Sequence, residues 1–329
     1  MGNILLNILF LVIGFVLLIK GADYFVDGAA AAAKLMKIST LVIGLTVVAF
    51  GTSAPELAVS LAAAIKGSNS IALGNVVGSN MLNFFLITGI SAIITPIAAK
   101  PVVLKRDYTI SLIAAALVFA LGFIGQRLGR IDGIILTLCI IAYVVFLIIS
   151  SKKAGDEGED DFKTLSPIKC VLFILLGLTG VVLGGQLVVT GAQTIAKWLG
   201  MSEALIALTV VALGTSLPEL VTSVMAARKG ETDLALGNVL GSNIFNLLLI
   251  LGVSATVRPM IPDTPLEIIG FNETMLDLGI FVIASIIFFF PVWKRKQFTR
   301  PIGVALVIFY AAYFAFIMMR NYGIIQIFN

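Results

Sequence analysis

The sequence predicts an all-α membrane protein, with ten transmembrane helices arranged as two inverted five-helix repeats. Three observations predict it. Hydrophobic residues fill 59% of the 329 positions and charged residues only 12%, with a mean hydropathy of +1.10, far from the balance of a water-soluble domain. Apolar runs long enough for a span of roughly 20 residues recur about ten times. Two polar blocks inside those runs return at one constant offset of 163 positions.

Read between their charged interruptions, the apolar runs fall near 3–33, 39–65, 71–94, 107–125, 131–150, 167–198, 203–227, 233–256, 273–293 and 301–319. The first five make one repeat over 1–150 and the last five a second over 167–329, joined by a polar linker over 151–166. The opening Met-Gly-Asn-Ile-Leu-Leu carries no basic residue, so the first run reads as a retained helix rather than a cleaved leader.

The repeat is specific. Gly-Thr-Ser-Ala-Pro-Glu-Leu at 51–57 returns as Gly-Thr-Ser-Leu-Pro-Glu-Leu at 214–220. Gly-Asn-Val-Val-Gly-Ser-Asn-Met-Leu-Asn at 74–83 returns as Gly-Asn-Val-Leu-Gly-Ser-Asn-Ile-Phe-Asn at 237–246. Shared apolar composition cannot align Pro, Glu, Gly, Ser and Asn in register. Five helices per half send the second copy into the membrane from the opposite side, which makes the repeats inverted. Loop charge fixes the orientation. Alternate connections hold fifteen Lys and Arg on one side and six on the other, so the richer side, linker included, is cytoplasmic and both termini lie outside. The linker run Asp156-Glu157-Gly158-Glu159-Asp160-Asp161 lacks the ligand spacing of an EF-hand and reads as a solvated segment.

Several functions are excluded. The chain has no histidine, which removes imidazole ligands, histidine proton relays and triad catalysis. Cys139 and Cys170 sit in apolar runs and form neither a disulfide framework nor a thiolate cluster. The basic residues make no patch interleaved with aromatics, so nucleic acid is not a partner, and no protein partner or cofactor is implied. No phosphate-binding loop occurs, so any transport is driven by an ion gradient. An enzyme is not expected.

The chemistry concentrates at Glu56 and Glu219, well inside apolar runs, where a charged side chain costs at least about 2.5 kcal/mol. Inversion carries equivalent residues toward the pseudo-symmetric centre at the membrane midplane. Pro55 and Pro218 precede them and bend the helices, and Thr52, Ser53, Thr215 and Ser216 add hydroxyl oxygens at the same kinks. A facing wall comes from Asn75, Ser79 and Asn83, four apart on one helix face, and from Asn238, Ser242 and Asn246 on the other. Asn80 and Asn243 read as packing residues. Two carboxylates among neutral oxygens suit a hard divalent cation, and the same oxygens can hold sodium instead.

On these blocks the chain is identified as resembling the sodium/calcium exchanger family of the cation/calcium antiporter superfamily, in a prokaryotic form without the large cytoplasmic regulatory domain of animal exchangers. The resemblance implies a ten-helix fold in the cell (inner) membrane. Its second, third, seventh and eighth helices hold calcium and sodium, and the long first and sixth helices slide to alternate access. It implies cation ligands at Glu56, Glu219, Thr52, Ser53, Thr215, Ser216, Ser79, Asn83, Ser242 and Asn246, and at the carbonyls of Ala49 and Ala212. Asn246 stands where potassium-dependent members and some archaeal members carry Asp, which argues against potassium co-transport. The alternative is a proton/calcium exchanger, since two close carboxylates can carry a proton. A cation channel is the more distant rival.

Overall fold

The computed structural model describes residues 4–154, 165–199, 212–325 and 327. These residues are helical except for short connections. In chain order the helices are α1 (Ile4–Met36), α2 (Thr40–Thr52), α3 (Ala54–Lys66), α4 (Ile71–Ile94), α5 (Pro101–Gly125), α6 (Arg130–Ala154), α7 (Pro167–Trp198), α8 (Leu217–Arg228), α9 (Thr232–Val257), α10 (Pro265–Arg295) and α11 (Arg300–Asn321). Eight of them are long and apolar enough to cross a membrane, and α2 with α3 passes the same test as one span bent by 48°. The run expected over 203–227 begins outside the described residues, and its remainder is a four-residue helical segment, Ala212–Thr215, followed by α8. The acidic run of the expected linker, 156–161, also lies outside them, and the linker's first residues, 151–154, belong to α6.

Two helices begin earlier than hydropathy placed them. α5 starts at Pro101 rather than 107, because proline suits a first helical turn and the Arg106 guanidinium pairs with the buried Asp107 at 2.9 Å. α10 starts at Pro265 rather than 273. Thr264 Oγ1 accepts from Glu267 N at 3.3 Å and Glu267 Oε2 accepts from Asp263 N at 2.8 Å, a cap that holds the polar first turn in helix.

Burial runs opposite to that of a water-soluble protein. Leu5, Leu9, Val12 and Val16 on α1 are exposed, whereas Glu56, Glu219, Asn80, Asn83, Asn243 and Asn246 are fully buried. Lipid replaces water around the apolar surface, so the polar side chains are the ones that must find shelter.

The chain divides into two compact units, 1–55 with 147–239 and 56–146 with 240–329. In the first, α1 and α7 lie side by side on a glycine seam. A Cβ on Gly21 would stand 2.6 Å from Val181 N, and one on Gly177 2.5 Å from Phe25 N, so only glycine permits this backbone approach. Phe25, Val26 and Ala29 of α1 then pack on Ile43, Val48, Ala226 and Leu234. Lys229 pairs with Asp23 and Asp27 in the C-terminal half of α1.

In the second unit, Gly89 of α4 meets Gly303 of α11, and Gly133 of α6 meets Thr256 of α9. Phe84, Phe85, Tyr108 and Phe281 form an edge-to-face cluster, and the Tyr108 hydroxyl donates to Ser285 O at 2.7 Å. A two-residue antiparallel pairing joins Ile97–Ala98 to Gln297–Phe298.

Candidate functional site

Each Pro-Glu pair opens a helix. Ser53 sits at φ −82°, ψ 4° and Ser216 at φ −91°, ψ 7°, the bridge region between helix and turn. α3 and α8 start directly after these residues, with proline in the first turn where its missing N–H costs nothing. Glu56 and Glu219 therefore both lie in first turns, where the helix dipole favours negative charge. The kink expected from proline thus also creates a helix start that stabilises a buried carboxylate.

In the first unit the candidate side chains gather around Glu219. Ser53 Oγ donates to Glu219 Oε1 at 3.0 Å, and Thr52 Oγ1 donates to Asn238 Oδ1 at 3.1 Å. Asn238 in turn donates from Nδ2 to Ser223 Oγ at 2.8 Å. The Ala49 carbonyl accepts from Ser53 N at 3.0 Å and from Thr52 Oγ1 at 3.4 Å. Glu219 Oε2 and Thr215 Oγ1 have no hydrogen-bond partner among the described residues. Ser216 is fully buried at the turn itself, and Ala212 opens the described stretch before it.

In the second unit Ser79 Oγ reaches Glu56 Oε1 at 3.5 Å. Asn75 Nδ2 donates to Ser60 Oγ at 2.9 Å and to the Glu56 carbonyl at 3.4 Å. Asn80 Nδ2 donates to Asn243 O at 3.3 Å, and Asn246 Nδ2 donates to Asn80 Oδ1 at 3.0 Å. Both side-chain atoms of Asn83, Ser242 Oγ and Asn246 Oδ1 are buried with no partner among the described residues. Buried polar atoms left unpaired are costly.

Two features escaped the sequence reading. Ser60 and Ser223 lie four residues after each glutamate and hold Asn75 and Asn238; the 163-residue offset relates both pairs and is the signal that would have found them. The helices also widen into π turns at Leu82–Ile87 and Phe245–Ile250, again one repeat apart, and each contains its block's final asparagine, Asn83 or Asn246. Such turns recur at functional sites, and here Thr88 Oγ1 donates to Asn83 O across five residues.

The family profile of the sodium/calcium exchanger protein matches residues 6–151 and 169–319. The chain belongs to the sodium/calcium exchanger family. The chain is 36% identical over 349 residues to the sodium/calcium exchanger MaX1 of Methanosarcina acetivorans, a match covering 94% of this chain and 98% of that one. It is 33% identical over 306 residues to the inner membrane protein YrbG of Escherichia coli K12, covering 90% and 92%. A solved structure of the sodium-calcium exchanger NCX_Mj, soaked with zero Na+ and Ca2+, superposes with a TM-score of 0.82 at 30% identity, covering 96% of this chain and all of that one. This family member is therefore a multi-pass membrane antiporter of cations and calcium, and its relatives include prokaryotic exchangers.

Proposed function

We propose that the protein exchanges sodium for calcium by alternating access, with Glu56 and Glu219 as the charged ligands. Ser53, Thr52, Thr215, Ser216, Ser79, Asn83, Ser242, Asn246 and the carbonyls of Ala49 and Ala212 complete the ligand set. The observation that carries this reading is the repeated pair of fully buried glutamates, each in the first turn of a helix and each with a serine hydroxyl turned toward its carboxylate. Two carboxylates balance one divalent ion, and flexible oxygen-only coordination suits calcium. Sodium ions compete for the same oxygens, so occupancy by one ion excludes the other and couples their movements.

Ten spans in two inverted repeats, divided as 1–150 and 167–329 with a cytoplasmic linker at 151–166, follow from the 163-residue offset and the loop charge bias. Both termini are then outside the cytoplasm, in the cell (inner) membrane. The seam of α1 on α7 contains glycines at seven positions, Gly14, Gly21, Gly28, Gly177, Gly180, Gly184 and Gly191, and so close a seam lets the two helices move as one body during access change. The test is radiolabelled calcium uptake into proteoliposomes with outward sodium, proton or potassium gradients imposed one at a time. Sodium alone drives uptake in this reading; uptake driven by the proton gradient and not by sodium selects proton/calcium exchange.

A further inference from the structure

Three asparagines of the second unit form a directed chain. The main-chain oxygen of Asn243 can only accept, so the Asn80 group facing it at 3.3 Å is Nδ2. That turns Asn80 Oδ1 toward Asn246, and the group meeting it at 3.0 Å has to be the Asn246 donor, Nδ2. Asn246 Oδ1 is left on the opposite side of its amide, buried and with no partner among the described residues. One backbone carbonyl thus sets the orientation of two side chains. The repeat-related pair lacks this chain, since the side-chain atoms of Asn83 and Asn243 find no partner among the described residues.

We propose that Asn80 is a positioning residue that fixes Asn246 with its oxygen, rather than its NH2 group, presented to the transported cation. This rests on the assignment of Asn246 as an ion ligand. An amide free to flip offers a cation the positive end of its dipole for part of the time. Asn80 also selects an amide over an acid at 246. A carboxylate there would face Asn80 Oδ1 acceptor to acceptor. Turning Asn80 to offer Nδ2 instead would press its Oδ1 against the Asn243 carbonyl.

The test measures calcium KM and maximal rate of calcium exchange in proteoliposomes for wild type, Asn80→Leu, Asn80→Ala, Asn246→Ala, Asn246→Asp and the doubles Asn80→Leu/Asn246→Asp and Asn80→Ala/Asn246→Asp. Loss of one hydrogen bond is worth about a five-fold change, so the Asn80 variants raise KM by about that factor with the maximal rate largely kept. Asn246→Asp alone also raises KM. In the doubles it lowers KM back toward wild type, because a carboxylate offers oxygen on both faces and no longer opposes an acceptor. A packing role for Asn80 predicts losses that add, and additive losses overturn the proposal. The alanine variants carry the same comparison if Asn80→Leu does not fold. If Asn246→Ala leaves KM unchanged, the ligand assignment itself falls and the positioning role with it. If Asn246→Ala raises KM and the Asn80 variants do not, the positioning role alone is wrong.

Discussion

Ser53 Oγ donates to Glu219 Oε1 at 3.0 Å, a bond between a hydroxyl of the first repeat and a carboxylate of the second across 166 positions of sequence. The repeats therefore share their polar groups: Thr52, from the first repeat, also bonds Asn238, from the second. A bond of this kind to a charged acceptor is worth about 1.5–3 kcal/mol, and it leaves the second carboxylate oxygen of Glu219 available.

Replacing either carboxylate by an amide removes one of two charges that a divalent ion requires while keeping shape and volume. Glu56→Gln and Glu219→Gln are each expected to reduce sodium-driven calcium uptake to background in proteoliposomes, with a monodisperse size-exclusion profile like that of wild type. Near-normal uptake by either variant would remove that glutamate from the ligand set.

The glycine seam makes a prediction of opposite sign to helix propensity. In a helix interior Gly→Ala ordinarily gains about 1 kcal/mol. At Gly177, however, the new Cβ would sit 2.5 Å from the Phe25 nitrogen, a backbone atom that cannot swing aside. Overpacking of this kind costs about 1–3 kcal/mol, so Gly177→Ala lowers the thermal midpoint in detergent. Gly185→Ala is the control: its Cβ meets Pro218 at an ordinary 3.6 Å, and its midpoint stays level or rises. Equal midpoints for the two variants would mean that α1 and α7 are not held this closely.

What was legible in the sequence was whatever leaves a period or a repeat. Apolar runs gave the eight spans of the described residues and the bent pair α2 and α3, and the offset between Glu56 and Glu219 singled out two buried carboxylates, because neither depends on long-range packing. The helix starts at Pro101 and Pro265 were hidden by charges whose partners only the structure shows, Arg106 for Asp107 and the Asp263 amide for Glu267. The π turns around Asn83 and Asn246 leave no periodic trace, since one extra residue per turn shifts the pattern less than apolar runs can report. The partners of Asn75 and Asn238, Ser60 and Ser223, were visible only as the fourth residue after each glutamate, and a serine on an apolar helix has many uses.

Topology provides an independent check. The fifteen-to-six division of Lys and Arg among alternate connections predicts a cytoplasmic linker. A cysteine introduced at Gly158, in a chain whose Cys139 and Cys170 are replaced by serine or alanine, is expected to resist membrane-impermeant maleimide in intact cells and to react after permeabilisation. Cysteines at Asn3 and Asn329 are expected to react in intact cells. Termini labelled from opposite faces would break the five-plus-five inverted scheme.

In the proposed ligand set, the residue at 246 decides the number of ions that can be held together. The proposed ligand set contains two carboxylates, so one calcium ion brings it to neutrality. A potassium ion bound beside that calcium would leave an uncompensated positive charge in a low-dielectric interior, and unpaired buried charge is strongly disfavoured. An aspartate at 246 would supply the missing negative charge; the carboxamide supplies an oxygen and none. Calcium uptake driven by outward sodium is therefore expected to proceed at the same rate and with the same calcium KM whether potassium or choline accompanies calcium on the outside of the vesicle. The measurement is radiolabelled calcium uptake in matched potassium and choline media, with valinomycin in both so that membrane potential is set independently of any potassium carried by the protein. Uptake that requires external potassium would show that the charge balance is met by a group other than the residue at 246.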